Sequence, residues 1–146
     1  MHVEEVPAGA THDLRRRVLR ADLPDADVSF DDDRRPGAFH LGVFDDEGRL
    51  VGIGSFFEDP CPHRPGRRAW RLRGMAVEPD VQGVGVGTAL LEAAVGRFRR
   101  EGVEVLWAHG RDSALGFYER HGWTVHGDGY VTDETMLPHH DVVLDL

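Results

Sequence analysis

Gly83, Gly85 and Gly87 stand on alternate residues in Gln82-Gly83-Val84-Gly85-Val86-Gly87. Before them lies a β-branched and aromatic run, residues 70–77; after them, residues 88–100 carry apolar side chains at helical spacing. A strand, a glycine loop and a helix in that order make an anion site. The first N–H groups of a helix have no partner within it, and the helix dipole adds partial positive charge there. Glycine lacks a Cβ, so a phosphate can approach the backbone closely. A phosphate or pyrophosphate is therefore expected at residues 83–88.

Three phosphate loops compete for this stretch. The Walker loop requires GxxxxGK[ST], and the chain contains no lysine, so it is excluded. The dinucleotide fingerprint requires GxGxxG directly after a strand. Here the spacing is GVGVG, Glu78-Pro79-Asp80-Val81 intervenes, and the acidic residue that follows, Glu104, falls inside an apolar run. The third pattern, [QR]-x-x-G-x-[GA], is matched by Gln82 to Gly87. In this context it resembles the coenzyme A loop of the GNAT family of N-acetyltransferases. A bare turn is the structural alternative. A second stretch supports the resemblance: Ala114, Phe117, Tyr118, Gly122 and Trp123 fit the family pattern N-x-x-A-x-x-F-Y-x-x-x-G-F, with Arg111 in place of its asparagine. Together the two stretches cover about residues 50–123.

The resemblance implies acetyl transfer from acetyl-coenzyme A to a primary amine, by direct attack through a tetrahedral intermediate. It assigns the cofactor to Met75, Ala76, Val77, Gln82, Gly83, Val84, Gly85, Val86, Gly87, Thr88, Arg111 and Ser113. The loop amides take the pyrophosphate, and the peptide-like pantetheine arm pairs with residues 75–77 as an added strand. An N–H near Ala76 or Val77 serves the oxyanion. Tyr118, with an ordinary pKa near 10, protonates a leaving thiolate whose acid lies near 8.5. The attacking amine must lose a proton first. The family often keeps a glutamate eleven residues before Gln82, and here that position is Arg71. Glu58, His109 and His139 are the remaining candidates for the base. Pro138-His139 is similar to a Pro-His in some members, whose histidine lies near the acetyl group. Arg71 and Arg73 share strand parity and are expected to line the acceptor pocket, unless they are simply ion-paired. Without a base, the rival reading is a non-catalytic acyl-coenzyme A sensor.

The elements that must position these residues follow from periodicity. Residues 2–6 suit an edge strand. Thr11 is a candidate cap for a helix carrying Leu14, Val18 and Leu19, with arginines on its outer face, interrupted by Pro24. Residues 25–37, with Asp31-Asp32-Asp33-Arg34-Arg35, read as a solvated loop. Residues 38–44 and 50–57 make a hairpin turned at Gly48. Leu90, Ala94 and Phe98, with Leu91 and Val95, give the long helix its buried stripe, and Gly102 stops it. Residues 103–108 suit a buried parallel strand. Asp112 or Ser113 would cap a helix over 114–120 that Gly122 ends. Residues 123–126 and 142–146 are two closing strands around a polar connection, 127–138.

The expected order is β-α-β-β-β-α-β-α-β-β in one domain, residues 1–146. The fold class is α+β, an acyl-coenzyme A N-acyltransferase fold with a mixed sheet of about six to seven strands and about four helices. The strands flanking the long helix should be parallel through a right-handed crossover. Net charge is −9, which disfavours nucleic-acid phosphates and suits a cationic substrate. No apolar run reaches the roughly 20 residues of a membrane span. The N-terminus lacks a signal peptide, and one cysteine, Cys61, fits a reducing compartment, so a cytoplasmic location is expected. Nine histidines show no recognised zinc spacing, so no metal is expected. The family's habits allow a homodimer; the acceptor stays open as a small molecule or a peptide amine.

Overall fold

The computed structural model describes residues 1–23 and 25–146; the interruption read at Pro24 lies outside them. Seven strands form one sheet: β1 (His2–Val6), β2 (Phe39–Phe44), β3 (Leu50–Glu58), β4 (Ala69–Val77), β5 (Val105–Arg111), β6 (Thr124–Val131) and β7 (Pro138–Asp145). Among the described residues three α-helices accompany them: α1 (His12–Leu14), α2 (Val86–Arg100) and α3 (Leu115–Arg120). The sheet order is β1-β2-β3-β4-β5-β7-β6, so the last strand in sequence inserts beside β5. Element order is the expected one. Strand β4 pairs with β5 in parallel, Ala69 opposite Val105 through Leu72 opposite Ala108, and the β1–β2, β2–β3, β5–β7 and β6–β7 pairs are antiparallel.

The chain divides into two compact units. The first comprises residues 1–57 and 73–97. Its β3 is buried at seven of nine positions, as a strand covered on both faces must be. Leu14, Ile53 and Ala76 form a core cluster there, with Val18, Leu19 and Leu50 packed against it. Along α2, Leu90, Leu91 and Ala94 are buried as the periodicity predicts, as is Phe98 one turn further on. The leucines contribute on the order of 1.5–3 kcal/mol each. Gly52 on β3 sets the helix start: a Cβ there would lie 2.5 Å from Val86 Cγ1. Val86 thus sits directly on the β3 backbone, and the glycine loop is held from that end.

Three expectations in this unit are corrected. Thr11 is not a cap. The helical segment begins at Ala8 as a 3-10 turn, and Thr11 Oγ1 donates to the Ala8 carbonyl (2.7 Å) instead of accepting an N–H. Arg15 is not on a solvent face, and residues 31–35 are not simply solvated. Arg15 is fully buried, and its guanidinium meets Asp33 through two hydrogen bonds (2.7 and 2.9 Å), with Val28 O and Ser55 Oγ at 2.8 Å each. A buried cation needs a paired carboxylate. The acidic run supplies it by forming a 3-10 turn, Asp31–Arg34.

The second unit comprises residues 58–72 and 98–146. Cys61, Ala69, Val105, Trp107 and Val143 form its core cluster. Gly102 (φ 75°) follows α2 and Gly122 (φ 87°) follows α3, the left-handed positions expected of helix stops. The cap expected at Asp112 or Ser113 is absent. Asp112 Oδ1 accepts from His140 Nδ1 (2.7 Å), Ser113 is exposed, and α3 starts after a 3-10 turn, Asp112–Ala114. The closing strands are longer than expected, because β6 runs on through Val131 and β7 already starts at Pro138. Strand β6 is an edge whose residues are mainly exposed, so it tolerates a polar sequence that periodicity reads as connection.

Candidate active site

The glycine loop lies in the first unit. Strand β4 ends at Val77, a 3-10 turn (Pro79–Val81) follows, and α2 opens at Val86. Gly83 and Gly85 adopt φ 84° and 92°, a conformation L side chains rarely hold. A Cβ built on either meets no atom within 4 Å. The backbone is therefore bare on that side, and the cradle has room for a phosphate beside N–H groups that α2 leaves unpaired. Gln82 closes the loop, its Nε2 donating to the Val77 carbonyl (3.2 Å). Glu78 N–H bonds the Val51 carbonyl (2.8 Å), which ties the turn to β3. Val84 is exposed, while Gly87 and Thr88 lie in the first turn of α2. Met75, Ala76 and Val77 occupy the last positions of β4, with Ala76 buried. These residues fit a coenzyme A diphosphate.

Tyr118 lies in the second unit. Its ring packs on β5, where a Cβ on Gly110 would come within 3.4 Å of Tyr118 Cε2, and against Trp123 (4.9 Å between centroids). No described residue hydrogen-bonds its hydroxyl. Burial pushes its pKa up to about 12, so it remains a proton donor at any working pH. Arg111 ends β5 opposite His139, and burial lowers its pKa.

The same unit holds a polar cluster that sequence reasoning did not assemble. Asp141 on β7 faces His109 on β5 and His126 on β6 in register. Its Oδ1 accepts from Tyr130 Oη (2.6 Å) and His109 Nδ1 (2.9 Å), and its Oδ2 accepts from His63 Nε2 (2.8 Å). Burial alone would raise the Asp141 carboxyl; hydrogen bonds from Tyr130, His63 and His109 outweigh it and hold the group below the usual range. Burial lowers the His109 pKa, Arg71 lowers it further, and Asp141 opposes both. Burial and the Asp141 bond both raise Tyr130. His139 is buried, donates Nδ1–H to the Leu137 carbonyl (2.8 Å) and stacks on Tyr130. In the sequence His109 stands out as a base candidate, whereas Asp141, Tyr130 and His63 carry no signal, because only the insertion of β7 beside β5 brings them together.

Arg71 and Arg73, two residues apart on β4, are each ion-paired. Arg71 binds Asp59 (2.9 Å) in the second unit, and Arg73 binds Asp32 and stacks on Phe30 in the first.

With this geometry in view, comparison with known proteins identifies the class. A profile of the acetyltransferase (GNAT) family matches residues 9–123. The chain belongs to that family. It is similar to YitI of Bacillus subtilis (strain 168), described as an uncharacterized N-acetyltransferase, at 31% identity over 130 residues, 89% of this chain and 87% of the relative. Its fold is that of an aminoglycoside 6'-N-acetyltransferase solved with coenzyme A (TM-score 0.73, 15% identity, 99% of this chain and 97% of that one). It is also that of FeeM, an N-acyl amino acid synthase from uncultured soil microbes (TM-score 0.80, 16% identity, 98% and 89%). Family membership makes this an acetyl-coenzyme A-dependent N-acetyltransferase, and nothing observed favours the sensor.

Proposed function

We propose that residues 83–88 hold the coenzyme A diphosphate through backbone N–H groups, with the arm running beside Met75, Ala76 and Val77. The observation that carries this reading is the pair of left-handed glycines, Gly83 and Gly85, bare on one side at the start of α2. Gln82, Val84, Val86, Gly87 and Thr88 complete the loop, and the family resemblance assigns Arg111 and Ser113 to the cofactor. An N–H near Ala76 or Val77 takes the oxyanion. Bound acetyl-coenzyme A supplies an activated acetyl thioester.

Tyr118 is the donor to the departing sulfur. Its pKa of about 12 lies roughly 3.5 units above that of a free thiol, a gap on the order of 5 kcal/mol. Full transfer ahead of bond cleavage is therefore unfavourable. A hydrogen bond that becomes a proton transfer as charge builds on sulfur fits the energetics. Arg71, Arg73 and His139 belong to the acceptor side; a substrate carboxylate would share the arginines with Asp59 and Asp32.

The acceptor is a primary amine of a small molecule or peptide, and the net charge of −9 favours a cationic one. Residues 1–146 act as one catalytic domain, in keeping with a family match that draws on both units. No helix among the described residues is long and apolar enough to cross a membrane. A cytoplasmic enzyme without a nucleic-acid partner, monomeric or homodimeric, is the reading the composition supports. Thiol release from acetyl-coenzyme A against a panel of amines tests it: amine-dependent release that Tyr118→Phe reduces is expected. Tight cofactor binding without turnover for any amine would favour the sensor.

A further inference from the structure

Acetyl transfer requires a base for the amine, and Arg71 stands where the family often keeps one. The geometry points to His109 as that general base, with Asp141 as its positioning residue. This inference rests on the acetyl-transfer reading above.

The cluster fixes the tautomer of His109. Its Nδ1 lies 2.9 Å from Asp141 Oδ1 and 2.6 Å from Tyr130 Oη. Tyr130 spends its own proton on Asp141. A bare Nδ1 would then set its lone pair against two oxygen lone pairs, so Nδ1 carries the hydrogen and donates it. Nε2 is left with a lone pair and no hydrogen-bond partner among the described residues. The side chain is 39% exposed, which leaves that nitrogen reachable. A carboxylate behind Nδ1–H, an open Nε2 and a half-exposed ring are what a base needs.

The other histidines of this unit lack the combination. His140 also meets a carboxylate, Asp112, but its Nε2 presses on β6, 3.0 Å from where a Cβ on Gly129 would stand. His139 is buried and bonded to a backbone carbonyl. His63 spends Nε2 on Asp141, and His126 bonds Thr124 through Nε2. Charged and titratable groups face His109 from every strand around it: Arg71 on β4, Asp141 and His139 on β7, and Tyr130 on β6. Burial, with Arg71 adding to it, keeps the ring neutral near pH 7, the state that accepts a proton.

The step balances simply. Nε2 takes a proton from the substrate ammonium. The freed nitrogen lone pair forms the N–C bond to the acetyl carbon, the C–S bond breaks, and sulfur leaves with the electron pair. Tyr118 gives sulfur a proton and regains one from the acylated nitrogen, while His109 releases its own to water.

Two measurements test the assignment. Nitrogen-15 NMR on histidine-labelled protein needs no acceptor. It is expected to show His109 in the Nδ1–H form, titrating below the ordinary histidine value, with that preference lost in Asp141→Asn. A His109 found in the Nε2–H form overturns the proposal. The second compares thiol release with ethanolamine, an ammonium at pH 7, and hydroxylamine, largely neutral there. His109→Gln should lower kcat about 100-fold with ethanolamine and less than about 10-fold with hydroxylamine, while acetyl-coenzyme A affinity and Tm hold. Equal losses with both amines would mean a structural role and overturn it. Wild-type protein that binds acetyl-coenzyme A yet releases no thiol with either amine would count against small-amine transfer, and the tautomer would still decide His109.

Discussion

Arg15 with Asp33 in the first unit, and His109 with Asp141 in the second, are two carboxylate–nitrogen pairs that end in opposite conditions. Arg15 is wholly enclosed, with its guanidinium over the Phe30 ring (4.0 Å) and its terminal nitrogens on Asp33, Val28 and Ser55. Among its nitrogens only Nε has no hydrogen-bond partner among the described residues. His109 is held just as firmly at Nδ1, but its second nitrogen stays open and the ring reaches solvent. The first arrangement spends its hydrogen-bonding capacity on the fold. The second spends half and keeps half. Burial and pairing alone do not separate a structural ion pair from a chemical one; the unspent donor or acceptor does.

The sharpest way to break the contrast is to remove Asp33. Asp33→Ala leaves a buried guanidinium uncompensated and should cost about 3–5 kcal/mol, lowering Tm by about 10 °C or more in thermal denaturation. Burial alone would raise the Asp33 carboxyl, but the Arg15 hydrogen bonds and charge outweigh it, so the folded pKa lies below the ordinary value. A depressed carboxyl contributes stability above its unfolded pKa, near 4, and loses it as pH falls through the folded one. The wild-type advantage over the variant should therefore hold at neutral pH and shrink below about pH 4. Tyr118→Phe removes a hydroxyl that no described residue bonds. It should leave Tm within about 2 °C while lowering kcat about 10- to 100-fold at unchanged cofactor affinity, read by stopped-time thiol assays. Arg73→Ala is expected to raise the KM of the acceptor several-fold and to leave that of acetyl-coenzyme A alone; an unchanged acceptor KM would remove Arg73 from the pocket. Smallest is Arg49→Ala. Its contacts to Asp80 and Asp45 are exposed, so Tm should barely move, and the effect should fade with salt.

The proposed phosphate cradle of the first unit is legible in the sequence because it is local. It comprises consecutive residues, 82–88, so its glycines and its helix can be read in a line. The same holds for β4, α2 and the hairpin at Gly48, where the period of apolar residues and a single turn glycine suffice. The polar cluster is written differently. His63, His109, Tyr130 and Asp141 span 79 positions of chain, and only strand order and register make them neighbours. Arg15 misled for a related reason: a helical pattern places arginine outward, and nothing near it in sequence announces Asp33. Strand β6 was shortened because an exposed edge needs no apolar alternation.

The central claim is that the amides of residues 83–88 hold acetyl-coenzyme A, and calorimetric titration of wild type and Gly85→Ala tests it most directly. Gly85 sits at φ 92°, where a Cβ is strained by about 1–2 kcal/mol and stands in the open side of the cradle. Saturable binding by wild type, weakened 10-fold or more in the variant with Tm lowered by only a few degrees, is the predicted result. No heat of association with wild type, or equal affinity in both proteins, would contradict it.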